Sequence, residues 1–107
     1  MTRENYLEDA EKILLQHFSG DIFSVTRETA KNTFDQGQCD TLFVRMNSRG
    51  RQRFLLRTHV APDGTVHITS TPIDGGSRCE TIPLSKSGEL RILEEYAQTH
   101  VQSFTPV

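Results

Sequence analysis

Apolar residues recur along this chain with two different periods, and the change of period marks its elements. Over residues 3–18, Leu7, Ala10, Leu14 and Phe18 fall at helical spacing, with Tyr6, Ile13 and His17 on the shoulder. Thr2 is placed to cap this helix, Glu4 sits in its first turn, and Ser19-Gly20 supplies a stop. Residues 22–27 (IFSVTR) read as a strand. Residues 28–38 (ETAKNTFDQGQ) show neither period, and read as a short helix or a polar connection.

From residue 41 the period is two. TLFVRMN sets Leu42, Val44 and Met46 on one face, and Phe43, Arg45 and Asn47 on the other. Ser48-Arg49-Gly50 reads as a tight turn, followed by the strand QRFLLRTHV. Ala61-Pro62-Asp63-Gly64 is the clearest turn signal, with Pro preset for the second position and Gly suited to positive φ. TVHITSTP then gives a strand with Val66 and Ile68 inward, Asp74-Gly75-Gly76 a turn, and residues 78–84 (RCETIPL) a short strand in which Pro83 suits an edge or an end. Residues 87–103 form a second helix, with Ser85 or Ser87 as cap and Leu90, Leu93, Ala97, Val101 and Phe104 as its stripe. Its acids, like those of the first helix, fall on the exposed face by spacing, and residues 104–107 form a frayed tail.

Strands joined by tight turns are antiparallel, and two one-sided helices need an apolar surface to cover. The pattern therefore predicts a two-layer α+β domain of four to five strands, with the N- and C-terminal helices packed on one sheet face. Leu42, Val44, Phe54, Leu56, Val66 and Ile68 line that face. A length of 107 residues suits one domain with a core of its own.

Charge adds a location to this outline. The chain is slightly acidic, with a net charge of −2, yet Arg45–Arg57 (RMNSRGRQRFLLR) holds five of the nine arginines. A three-residue loop at 48–50 sets Arg45 opposite Arg53 and Phe43 opposite Leu55. A register two residues longer still keeps Arg45, Arg53 and Arg57 on one face. Arginines among apolar side chains are typical of interfaces, although Glu28 or Glu80 of the same chain would also neutralise them. The same arithmetic about Pro62-Asp63-Gly64 sets His59 opposite His67.

Chemistry finds less support. A metal site needs a third and usually a fourth ligand beyond the two histidines. Walker A, HExxH and nucleophile-elbow motifs are absent. Cys39 and Cys79 each precede an acid, which raises rather than lowers a thiol pKa. No apolar run is long enough to span a membrane. The expectation is a cytoplasmic, non-catalytic binding protein with no metal or cofactor. It engages an acidic protein surface through Phe43, Arg45, Arg49, Arg51, Arg53, Leu55, Arg57, His59 and His67. Nucleic-acid or nucleotide-phosphate binding through the same face is the alternative, weakened by the acidic net charge and by Phe43 being the one aromatic expected there. Homodimerisation by sheet edges or by the open face is a third reading.

Overall fold

The computed structural model describes residues 2–32, 37–48, 50–71, 78–83 and 88–104. Helix α1 (Arg3–His17) is followed by strands β1 (Phe23–Asn32), β2 (Gly37–Ser48), β3 (Arg51–Val60), β4 (Thr65–Ser70) and β5 (Arg78–Pro83), and then by helix α2 (Glu89–Phe104). The five strands form one sheet in the order β1-β2-β3-β4-β5, each antiparallel to its neighbour. Both helices contribute to a single core with the sheet, giving the expected α+β arrangement.

Local chemistry accounts for the ends of the elements. Thr2 caps α1 by accepting the Asn5 N–H at 3.2 Å. Gly20, at φ 117°, turns the chain away after the helix. The Ala61–Gly64 turn forms as expected: the Gly64 N–H donates to the Ala61 carbonyl at 3.0 Å, and Gly64 has φ 86°. Residues 33–36, 49, 72–77, 84–87 and 105–107 lie outside the described ones, and with them the proposed turn at Asp74-Gly75-Gly76, the Ser85 or Ser87 cap and the last residues of the tail.

The core joins Leu7, Ala10 and Leu14 of α1 and Leu93 and Ala97 of α2 to Leu42, Val44, Leu56, Val60, Val66 and Ile68 of the sheet. One polar connection runs through it. Thr58 Oγ1 donates to the His67 carbonyl at 2.9 Å and lies 2.6 Å from Tyr6 Oη. A hydroxyl has one proton, so Tyr6 is the donor to Thr58. This chain of bonds ties α1 to β3 and β4 from inside.

The structure differs from the sequence reading in three places. First, β1 continues to Asn32 and β2 starts at Gly37, so most of residues 28–38 is hairpin strand rather than helix or connection. The apolar alternation fails there because β1 is an edge strand whose residues from Thr26 to Thr29 are all exposed. Second, Glu89 is buried rather than exposed, at 3%. Third, the β2–β3 hairpin has a two-residue loop and a bulge. Ser48 pairs with Arg51 and Met46 with Arg53, and the register then shifts between Val44 and Arg45 so that Val44 pairs with Leu56.

Candidate functional site

The bulge rearranges the surface that the arginine block was expected to form. An extra residue on one strand sends two consecutive side chains the same way. Here these are Leu55 and Leu56, both buried in the core. Leu55 therefore leaves the outer face, and Phe54, expected in the core, takes a place on it with 53% of its surface exposed. The pairings of Arg45 with Arg53 and of Phe43 with Leu55 do not form: Arg45 opposes Phe54, and Phe43 opposes Arg57. Arg53 opposes Met46, which packs against the core, so Arg53 stands on the helix-covered side of the sheet. Strand alternation places Arg51, exposed and opposite Ser48, on that side as well. Arg49 lies outside the described residues. One inserted residue thus divides the basic block between the two faces.

What remains on the outer face is a compact group. The Arg45 guanidinium carbon lies 4.8 Å from the ring centroids of both Phe43 and Phe54, and the two rings are 5.7 Å apart. Cation–π attraction favours this placement. Arg45 Nη1 also donates to Glu28 Oε2 at 2.5 Å and to Thr26 Oγ1 at 2.8 Å, and the Thr26 hydroxyl donates to the same Glu28 oxygen at 2.7 Å. The positive charge of Arg45 is therefore met within the chain. Arg57, exposed on the same face, forms no ion pair among the described residues.

The Arg45 hydrogen bond, supported by that from Thr26, holds the Glu28 carboxyl below its ordinary value of 4.5. A folded-state pKa below the unfolded one contributes stability that is present above the unfolded value and is lost as pH falls through the folded value. The expected result of a carboxyl-detected NMR titration is a Glu28 midpoint below 4.5 in the wild type, moving back toward 4.5 in Arg45→Ala. An unchanged midpoint in the variant would show that the ion pair is not formed in solution.

His59 and His67 stand opposite each other as the turn arithmetic requires, with ring centroids 4.9 Å apart and planes 3° from parallel. Thr65 Oγ1 donates to Asp63 at 2.6 Å and lies 3.0 Å from His67 Nε2. With the threonine proton committed to Asp63, His67 donates through Nε2. That use of the ring is structural, and no group of three or more His, Cys, Asp or Glu converges among the described residues. Cys79 is an exposed free thiol. No helix among the described residues is long and apolar enough to cross a membrane.

Beside the Phe43–Arg45–Phe54 group lies an open depression of about 260 Å³, lined by Phe43, Phe54, Leu56, Arg57, Thr69 and Thr71. Among these residues sequence reasoning misplaced Phe54, which alternation set in the core. The unbroken apolar run Phe54-Leu55-Leu56 was the available signal, because three such residues cannot alternate between a core and a solvated face. Against known proteins, the chain matches no family model, no curated protein and no solved structure.

Proposed function

We propose that this protein is a small non-catalytic binding protein that engages an acidic protein surface through the outer face of its sheet. The observation that carries this reading is the juxtaposition, on the face the helices leave uncovered, of exposed Phe54 with Arg57, a cation without an acid partner among the described residues. Aromatic and arginine side chains dominate the energetics of protein interfaces. Arg45 acts as a scaffold rather than as the primary contact, because Glu28 already neutralises it. The centre of the surface thus lies at Arg57, displaced from the middle of the arginine block.

The test is affinity capture from native lysate on immobilised protein. Wild type and a control, Arg91→Glu on the exposed face of α2, should retain the same partner. Arg57→Glu should retain it at least about tenfold less well, since like charges then meet across the contact. Equal retention by all three proteins would refute the assignment of the outer face. One observation favours a second reading: the bulge adds Phe54 to the aromatic groups beside a cation, as single-strand binders require. Saturable, salt-sensitive polynucleotide binding that is lost in Arg57→Glu would replace the protein partner by nucleic acid.

A further inference from the structure

We infer that the depression at the β3 bulge is an anchor site for one acidic residue and an adjoining apolar residue of the partner. The carboxylate pairs with Arg57, and the apolar side chain rests against Phe54 and Phe43. This rests on the binding role proposed above and narrows it to a chemistry.

The depression follows from the chain's own geometry. In a regular strand every second side chain points outward. Leu55 and Leu56 both point into the core, so β3 presents no outward side chain between Phe54 and Arg57. The gap is bordered across the sheet by Phe43 on β2 and Thr69 on β4, which both oppose Arg57. Thr71 closes the end beside Phe54, its N–H donating to the Leu55 carbonyl at 2.9 Å. Bulges commonly re-aim side chains beside working sites.

Size and charge then select the occupant. About 260 Å³ is below the roughly 300–1,000 Å³ of small-molecule pockets, and suits one or two side chains. The walls comprise two aromatic rings, two threonines and a single guanidinium. Since Arg45 is already paired to Glu28, the site offers in Arg57 one guanidinium without an acid partner among the described residues, enough for one carboxylate in a bidentate contact. A nucleotide fits less well, because Arg45 lies against both phenylalanine rings at 4.8 Å and Phe43 is only 8% exposed, which leaves little ring face for a base. The depression centres on β3, the middle strand of the sheet, so the partner cannot join here as a further strand and must dock by its side chains.

The experiment is a selection from a random peptide display library on the folded wild-type protein, repeated on Arg57→Glu and on Thr69→Tyr, which fills the depression while keeping the cation. Circular dichroism checks that both variants are folded. Wild type should enrich sequences with Asp or Glu beside Leu, Ile, Val or Phe, and both variants should fail to enrich them. Glu→Gln (or Asp→Asn) in a selected peptide should weaken binding about tenfold, the loss expected for one charge-assisted contact. Amide shifts should map the peptide to residues 54–57 and 69–71. Enrichment of sequences without an acid, equal enrichment on Arg57→Glu or Thr69→Tyr, or no enrichment above these variants would overturn the anchor site. The wider binding role survives any of those results if the lysate partner is still lost in Arg57→Glu, and fails if that partner is retained.

Discussion

Leu55→Ala should destabilise the protein by about 2–5 kcal/mol, and Phe54→Ala by about 1 kcal/mol or less. Leu55 is fully buried in the cluster that joins both helices to the sheet, so truncation removes apolar contact and leaves a cavity beneath the bulge. Phe54 is 53% exposed, and loses only part of its contact with Phe43 and Arg45. Denaturant unfolding of the two variants, compared at constant m-value, measures the difference. The contrast is diagnostic because strict alternation along β3 predicts the reverse order, with Phe54 in the core and Leu55 at the surface. A larger loss for Phe54→Ala than for Leu55→Ala would mean that the bulge is absent in solution. The outer depression would then be absent with it.

The same pair of residues shows why part of the site was hidden from sequence. Period and turn chemistry placed the helices and most strands, since Leu7, Ala10 and Leu14 or Val66 and Ile68 leave little choice of face. The β3–β4 register was legible because Pro62-Asp63-Gly64 fixes a loop length, and His59 does oppose His67. The β2–β3 register was not, because Ser48-Arg49-Gly50 permits loops of two or three residues and a one-residue slip reverses every face. Only the burial of both Leu55 and Leu56 in the core settles where the slip is absorbed. Glu89 illustrates a different failure. It lies four residues before Leu93 and eight before Ala97, on the buried stripe itself and not on the exposed face to which the sequence reading assigns it. Its Oε2 has no hydrogen-bond partner among the described residues.

Thr58→Val should cost about 1–3 kcal/mol, more than the roughly 0.5–1.5 kcal/mol expected for Tyr6→Phe. The asymmetry follows from what each change leaves behind. Tyr6→Phe removes one hydroxyl, while Thr58 keeps its bond to the His67 carbonyl. Thr58→Val is close to isosteric, but it strands the Tyr6 hydroxyl, which is fully buried between α1 and the sheet. Ionisation offers no escape for that hydroxyl. Burial, reinforced by the nearby Glu89 carboxylate, holds the Tyr6 phenol above its ordinary pKa of 10.0. The double variant Tyr6→Phe/Thr58→Val strands no phenol, so it should be less destabilised than the sum of the two single variants. For a domain of about this size each kcal/mol lowers Tm by roughly 4–8 °C, which makes the cycle measurable by calorimetry. Strict additivity would show that the two hydroxyls are not coupled, and that α1 is held on the sheet by its apolar stripe alone.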